Sequence, residues 1–278
     1  MPDLPHLAEA APHQRARGEL ALSLRRRGPL TVLDDLRQSG CLRARFPRPP
    51  DPAFPEAVLL NVGGGIAPGD RLDTTIRLAA GTSATLAGQA AERIYRAAPA
   101  SPPALVRTTL DVADHATLEW LPQDTILFDR SALDRRLDIT LAPTARFLGL
   151  ESLVFGRAAS GETLHRLALR DTIRLRRDGR LLLHDALRVD GDATTLRHRA
   201  TAGGAGACAT LLLAAPDADT ALAPLRAALA PFEAGASALD GLLLARILAP
   251  DAATLRQATT AALRVLRGGR TLPAVWTC

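Results

Sequence analysis

The sequence contains no lysine, so all 34 of its basic residues are arginine. Against 29 acidic residues they leave a formal net charge of only +5, and acids and arginines are interspersed. A nucleic-acid footprint would instead be a stripe of one sign with aromatic side chains for base stacking. Aromatic residues make up only 3% of this chain. Nucleic-acid binding is therefore disfavoured, although an arginine-rich nucleic-acid-binding β protein stays open as an alternative.

Cysteine is also scarce, because Cys41, Cys208 and Cys278 are single residues far apart, with no CxxC pair. We expect a reducing, cytoplasmic location from this usage. No apolar run approaches the roughly 18 residues that cross a bilayer, so we expect no membrane segment. Residues 1–15 carry acids and prolines without the apolar run of a secretory signal, and we expect a flexible N-terminal arm there.

Apolar and polar residues alternate with a period of two through much of residues 16–204. The alternation is clear in GELALSLRRR (18–27), LVRTTLDV (105–112) and LDRRLDITL (133–141). TIRLRRDGRLLLHDALRV (172–189) adds an Asp-Gly hairpin turn at 178–179. Short alternating strands separated by glycine, proline or aspartate predict a mainly β body over 16–204.

A weak internal repeat indicates that this body is layered. Each of three units passes from a strand through a short turn to an alanine: IRLAAGTSATLAGQ (76–89) to Ala84, LDVADHATLEWLPQ (110–123) to Ala116, and ITLAPTARFLGLE (139–151) to Ala145. Units that cannot bury their own face must stack on their neighbours, which favours a coiled or layered β architecture.

The repeat units end on polar residues. Stacking would place Gln89, Gln123 and Glu151 in register at one strand corner. A file of amides and a carboxylate would either line a wet passage or satisfy backbone groups at the turns.

The pattern changes after residue 205. ACATLLLAA (207–215) and SALDGLLLARIL (237–248) predict strands, whereas residues 216–232 and 249–269 predict helices, the second with an aspartate cap and glycines at its end. We expect a C-terminal β-α-β-α segment over 205–278 that packs on the β body as part of one structural unit. GGAG at 203–206 is the expected hinge.

The glycine-rich stretch NVGGGIAPGD (61–70) looks like a phosphate-binding loop, but its spacing does not fit one. A Walker loop needs lysine and a hydroxyl residue where this chain has Asp70 and Arg71. A dinucleotide loop needs a third glycine where this chain has Pro68. The remaining interpretation is a corner between strands that requires positive φ, with Asp70 capping the turn or facing a cavity.

Catalytic signatures are missing as well. The sequence has no GxSxG, no HExxH and no cysteine with a nearby histidine, and its six histidines never occur at ligand spacing. A strong enzyme signature is therefore absent. A metal-dependent hydrolase stays open as a second alternative.

Several stretches, taken in order, resemble the family of urease accessory proteins called UreD, or UreH in some organisms. These stretches are EAVLLNVGGGIAPGDRLD, QAAERIYRA, LEWLPQDTILFD, RFLGLESLVFGRAASGE, GASALDGLLLARIL and LPAVW. The likeness runs from about residue 16 to the end. It departs at the glycine corner, where the family more often reads GGxxGGD and this chain has Ala67-Pro68 before Gly69-Asp70.

The resemblance implies a scaffold that is not an enzyme on its own, with a mostly β, spiral-like layered body and few helices. It implies that the chain joins UreF and the GTPase UreG, docks on apo-urease and supports GTP-dependent nickel insertion into the urease metallocentre, in a complex that could dimerise. GTP would bind only to a partner. No cofactor would be held tightly, and Ni(II) would pass transiently through an internal tunnel.

A nickel conduit sets requirements on its side chains. Nickel(II) accepts imidazole, carboxylate, carbonyl and water ligands, and a conduit must bind it weakly enough to release it. Under the resemblance, the predicted path residues are Asp70, Gln89, Glu92, Gln123, Glu151 and Asp185. The alternative is that these residues are turn caps and partners of the many arginines.

Overall fold

The protein is mainly β, as predicted, and the computed structural model describes residues 15–49, 51–52, 54–157 and 160–277. The arm expected over 1–15, apart from Arg15, and Cys278 lie outside the described residues. The strands are β1 (Arg17–Arg27), β2 (Leu30–Gly40), β3 (Leu42–Arg45), β4 (Glu56–Asn61), β5 (Arg71–Leu78), β6 (Ser83–Gly88), β7 (Glu92–Ile94), β8 (Ala104–Val112), β9 (Thr117–Leu121), β10 (Thr125–Leu127), β11 (Ala132–Leu141), β12 (Arg146–Phe155), β13 (Arg166–Arg177), β14 (Arg180–Asp192), β15 (Ala207–Ala214), β16 (Glu233–Leu239) and β17 (Leu242–Ala249).

The strands form two sheets that face each other. A seven-stranded sheet has the order β14-β13-β11-β8-β5-β1-β2, and a ten-stranded sheet has the order β16-β17-β15-β12-β9-β6-β4-β3, with β7 and β10 paired beside β12. Pairing is parallel in the middle of both sheets and antiparallel at the edges. Two apolar faces packed against each other explain the alternating sequence pattern.

The parallel strands arise because the chain winds as a spiral. Successive coils are β5-β6-β7, β8-β9-β10 and β11-β12, and each strand pairs with its equivalent in the next coil. In the seven-stranded sheet, Ile76, Leu110 and Ile139 are in register and are fully buried or nearly so. The coiled or layered architecture predicted from the repeat is thus confirmed.

The predicted alignment of the repeat was wrong in its first unit. Each coil turns at a corner closed by a backbone hydrogen bond, from Thr82 to Ala79 (3.3 Å), from Ala116 to Ala113 (3.1 Å) and from Ala145 to Ala142 (3.1 Å). Thr82, and not Ala84, is therefore the equivalent of Ala116 and Ala145. The physical requirement at this corner is a small residue that can be fully buried, and threonine meets it because its hydroxyl donates to the Ala79 carbonyl (2.7 Å).

The C-terminal segment continues the ten-stranded sheet, because β15 pairs antiparallel with β12. The stretch SALDGLLLARIL, predicted as one strand, is part of the β16-β17 hairpin. Asp240 (φ 51°) and Gly241 (φ 73°) form its turn, since Asp-Gly tolerates two successive left-handed residues. At the predicted hinge, the backbone of Gly206 packs directly against the backbone of Pro250. A Cβ added to Gly206 would lie 2.2 Å from the Pro250 carbonyl oxygen.

Two helices cover the outer face of the ten-stranded sheet. The helix expected over 216–232 is shorter, a 3-10 turn at Ala218–Ala221 followed by α1 (Leu222–Leu229), and α2 spans Ala252–Leu266. Asp251 caps α2 by accepting the Thr254 N–H (2.7 Å), as predicted. Leu255, Ala258, Ala262 and Leu263 of α2 are buried against the sheet. Neither α1 nor α2 nor the short turns between described strands has the length and apolar character of a membrane-spanning helix.

Candidate functional site

A cavity of about 270 Å³ lies between the two sheets. Leu72, Thr108 and Arg135 line it from the seven-stranded sheet, and Trp120 and Glu151 line it from the ten-stranded sheet. Exposed or half-buried residues of the glycine corner and of the segment between β6 and β7 form its rim: Gly64, Gly65, Gln89, Ala90 and Glu92. The cavity therefore connects the glycine corner with the side chains of Arg135 and Glu151, and its wall is mostly apolar.

The glycine corner is a network of backbone and side-chain contacts, with no feature of a nucleotide loop. Asn61 accepts the Gly63 N–H at Oδ1 (2.9 Å) and donates to the Gly65 carbonyl (3.2 Å). Gly65 has φ 147°, and an added Cβ would lie 2.6 Å from the ring of Tyr95, whose hydroxyl donates to the Gly64 carbonyl (2.7 Å). Positive φ at Gly64, Gly65 and Gly69 confirms the predicted corner.

Asp70 caps this corner and does not line the cavity. Its carboxylate accepts the N–H of Ala67 (2.7 Å) and of Ala16 (2.8 Å), and the side chain is buried. These bonds join the start of β1 to the start of β5. Of the two roles considered for Asp70, the structure supports the turn cap.

Glu92 is the acid at the rim of the cavity. Its Oε2 accepts a hydrogen bond from the Asn61 amide (3.1 Å), and within the described residues no arginine forms an ion pair with it. Burial raises the pKa of the Glu92 carboxyl, and the hydrogen bond from Asn61 only partly offsets this rise. The exposed Gln89 lines the same rim. Glu92 is thus a half-buried carboxylate without an ion-pair partner among the residues that the structure describes.

Gln123 also lines the cavity, but both ends of its amide are occupied. Nε2 donates to the Val275 carbonyl (2.8 Å), and Oε1 accepts from Arg256 Nη1 (2.7 Å). Arg256 stacks over the Trp276 ring at 4.1 Å. Gln123 therefore fixes the end of the described chain. Both polar atoms of its amide are already hydrogen-bonded to the protein.

Glu151 lies deeper in the cavity and belongs to a buried ionic cluster. Its Oε1 accepts from Trp120 Nε1 (2.8 Å) and its Oε2 from Arg135 Nη1 (2.6 Å). Arg135 also binds Asp171 through two bonds, Nε to Oδ1 (2.8 Å) and Nη2 to Oδ2 (2.6 Å), and Nη1 donates to Thr125 (3.1 Å). We call Arg135, Glu151 and Asp171 the inner cluster.

Opposing effects act on the charges of the inner cluster. Burial raises the pKa of the Glu151 carboxyl and so does Asp171, whereas Arg135 and the Trp120 hydrogen bond act in the opposite direction, and the net direction is upward. For Arg135 the two neighbouring carboxylates outweigh burial, and its pKa rises. The guanidinium therefore stays charged at any pH at which the protein is folded.

Asp185, the sixth predicted path residue, does not line the cavity. It lies at the far end of a band of polar side chains that extends from Glu151 between the two sheets. Across the ten-stranded sheet, Glu151 is in register with Thr210 and Thr210 with Arg246. Arg246 donates to Thr210 (2.7 Å) and forms an ion pair with Asp185 of the seven-stranded sheet. Polar residues thus run between the sheets from the cavity to the Asp185–Arg246 pair.

Cys208 lies between the two ionic groups of this band. Burial raises the pKa of its thiol to about 11, and the charges of Arg246, Asp171, Arg135 and Asp185 all act on it. Apolar clusters flank the band, with Leu133 and Leu169 on one side and Leu137 and Ile173 on the other. The thiol is protonated at neutral pH, so it offers no thiolate.

A second buried cluster on the outer face of the ten-stranded sheet was missed by sequence reasoning. Glu119, only 1% exposed, accepts from Thr85 Oγ1 (2.6 Å) and from Arg267 Nε (3.0 Å) and also pairs with Arg270. Arg270 stacks over Phe54 at 3.8 Å. We call Glu119, Arg267 and Arg270 the outer cluster; it joins the end of α2 to β9.

The six predicted path residues therefore separate into distinct environments. Gln89, Glu92, Gln123 and Glu151 share one cavity, Asp185 lies at the far end of the polar band, and Asp70 caps the corner. Throughout the described ranges, no three side chains of histidine, cysteine, aspartate or glutamate come together in an arrangement that could hold a metal ion.

Comparison with known proteins gives one consistent family. The sequence profile of the family described as UreD urease accessory protein matches residues 16–277. The urease accessory protein UreD of Dinoroseobacter shibae is 46% identical over 266 residues, covering 95% of this chain and 92% of that protein. The UreD proteins of Xanthobacter autotrophicus and of Methylobacterium sp. strain 4-46 are 44% and 45% identical, with 99% and 95% of this chain covered and 94% and 95% of theirs. The chain belongs to the UreD family of urease accessory proteins.

Proposed function

We propose that the chain is a maturation chaperone for urease, which passes Ni(II) through the cavity between its sheets. It acts as a non-enzymatic scaffold in the cytoplasm, joins UreF and the GTPase UreG, and docks on apo-urease, in a complex that can dimerise. GTP is bound and hydrolysed by UreG. The family assignment supports the role in urease maturation, and the cavity supports the transfer of the ion.

The observation that carries the nickel proposal is the rim carboxylate. Glu92 lines the cavity, is half buried and accepts a hydrogen bond from an amide, and within the described residues no arginine forms an ion pair with it. A hard or borderline divalent cation prefers such oxygen ligands, and a single carboxylate with amide and carbonyl oxygens binds it weakly. Weak binding at the entrance allows both loading and release.

The experiment is urease activation by the co-purified accessory complex. The chain, UreF and UreG are combined with apo-urease, nickel and GTP, and nickel per urease is measured by atomic absorption. We expect Glu92→Ala and Glu151→Ala to leave complex assembly intact and to lower nickel occupancy. Asp138→Asn, which alters a half-buried pair with Arg174 on the seven-stranded sheet, is the matched control. Unchanged nickel occupancy in the Glu92 and Glu151 variants would contradict passage through the cavity.

The two alternatives are tested in the same preparation. A nucleic-acid binder would retain duplex DNA with a steep salt dependence, and a metal-dependent hydrolase would turn over a substrate without partners. Activation of apo-urease that requires this chain, together with neither of those properties, supports the maturation role over both.

A further inference from the structure

The inner cluster places a permanent cation at the position where a divalent ion in the cavity would meet Glu151. Arg135 and Glu151 both line the cavity, and the distance between Arg135 Nη1 and Glu151 Oε2 is 2.6 Å. The second oxygen of Glu151 is occupied by Trp120. Both oxygens of this carboxylate are therefore hydrogen-bonded, and an incoming ion would have to compete with Arg135 and Trp120 for them.

Arg135 is held in place independently of Glu151. Its two bonds to Asp171 form a planar bidentate pair with the neighbouring strand β13, and Thr125 accepts a further bond. Because Asp171 and Thr125 retain the guanidinium, the charge remains in the cavity wall even when the bond to Glu151 is broken. A divalent ion at Glu151 would experience repulsion from Arg135 at close range.

The rim carboxylate shows the opposite arrangement. Glu92 accepts from the Asn61 amide and forms no ion pair with an arginine of the described chain, whereas Glu151 binds an arginine and an indole N–H. Both acids line one cavity. The chain therefore combines an acid that is open to a cation with an acid that is already neutralised.

We propose that Arg135 is a built-in competitor that keeps the affinity of the inner cavity for divalent cations low, so that an ion passes Glu151 without being trapped. The proposal rests on the function proposed above and assigns Arg135 a positioning role in it. Without Arg135, the carboxylates of Glu151 and Asp171 would lose the cation that both now bind, and two neighbouring carboxylates supply oxygen ligands for a divalent cation.

The test is a titration of the full chain, co-purified with UreF and UreG, with Ni²⁺ alone, followed by isothermal calorimetry. We expect Arg135→Gln to tighten Ni²⁺ binding by at least about tenfold, the scale of a close charge–charge coupling. Adding Glu151→Gln to it should cancel the gain, because the ligand is then lost. Arg107→Gln, which alters an ion pair with Asp134 on the same sheet, should leave the affinity at the wild-type value.

A second variant, which leaves one fewer buried charge without a partner than Arg135→Gln does, keeps the test valid if Arg135→Gln does not fold. Arg135→Gln with Asp171→Asn leaves Glu151 as the single carboxylate and should also bind Ni²⁺ more tightly than wild type. Equal affinities for the wild type and for both variants would overturn the proposal, whatever the outcome for urease. The passage of nickel through the cavity is judged separately, by urease activation with Glu92→Ala, so the two hypotheses can fail independently.

Discussion

The two buried arginine–glutamate clusters lie on opposite faces of one sheet and differ in what surrounds them. Glu119 and Trp120 are neighbours in β9 and point to opposite faces; Glu119 binds the outer cluster, and Trp120 binds Glu151 of the inner cluster. Side-chain exposure is 2% for Glu119 and 10% for Glu151. The outer cluster is enclosed by the end of α2, whereas the inner cluster borders a cavity.

This difference indicates that the two arginine–glutamate clusters have different roles. A fully enclosed ion pair stabilises the fold only if all of its members are present, because each isolated charge carries a large desolvation cost. An ion pair beside a cavity can exchange its partner for water or for an ion. The outer cluster holds the C-terminal segment against the sheet, whereas the inner cluster is the one that a cation in the cavity could contact.

The largest effect is expected from the outer cluster. Glu119→Gln removes the carboxylate that binds both the buried Arg267 and the half-buried Arg270, and we expect a loss of about 3–5 kcal/mol in the free energy of unfolding. Urea unfolding followed by circular dichroism measures it. Asp217→Asn, which breaks the exposed Arg146–Asp217 pair, is the control and should cost at most about 1 kcal/mol. A cost for Glu119→Gln no larger than that of the control would contradict the structural role.

A smaller effect is expected from the inner cluster. Glu151→Gln keeps an oxygen for the Trp120 N–H, and Arg135 retains both bonds to Asp171. We expect a cost of about 1–3 kcal/mol, the scale of one lost hydrogen bond to a buried charged group. The same urea experiment ranks it against Glu119→Gln. If Glu151→Gln proved the more destabilising of the two, the contrast between an enclosed and a cavity-lining cluster would be wrong.

The sequence predicts more of the inner cluster than of the outer one. In β11 the inward positions are Leu133, Arg135, Leu137 and Ile139, so the alternation itself marks an arginine in the core. In β13 the same reasoning marks Asp171 between Leu169 and Ile173. Neither Arg135 nor Asp171 was among the predicted path residues, although the alternation places both of them in the core.

The outer cluster could not have been found in this way. In β9, Leu118, Glu119, Trp120 and Leu121 are all buried, so no alternation distinguishes the faces. Glu119 is covered by Arg267, which lies 148 residues further along the chain. Local pattern predicts which residues face a sheet partner, as it did for the parallel coils. It carries no information on which distant segment covers the other face.

The smallest effect is expected at the rim and concerns pH. Burial raises the pKa of the Glu92 carboxyl above its ordinary value of 4.5, so between these two values the native state binds more protons than the unfolded chain. Stability then falls as pH rises through that window, and it stays lower above it. Glu92→Gln keeps an acceptor for Asn61 but removes the titration. The free energy of unfolding of the variant minus that of wild type should therefore increase with pH and then level off.

Urea unfolding of both proteins at a series of pH values from about 3 to about 8 measures this difference. Glu162→Gln is the opposite control, because hydrogen bonds from Arg157 lower the pKa of that carboxyl and stabilise the folded protein at neutral pH. The free energy of unfolding of Glu162→Gln minus that of wild type should therefore decrease as pH rises. A flat difference for Glu92→Gln would mean that a cation already compensates the rim carboxylate. The contrast with Glu151, and with it the reason for assigning entry of the ion to this rim, would then be lost.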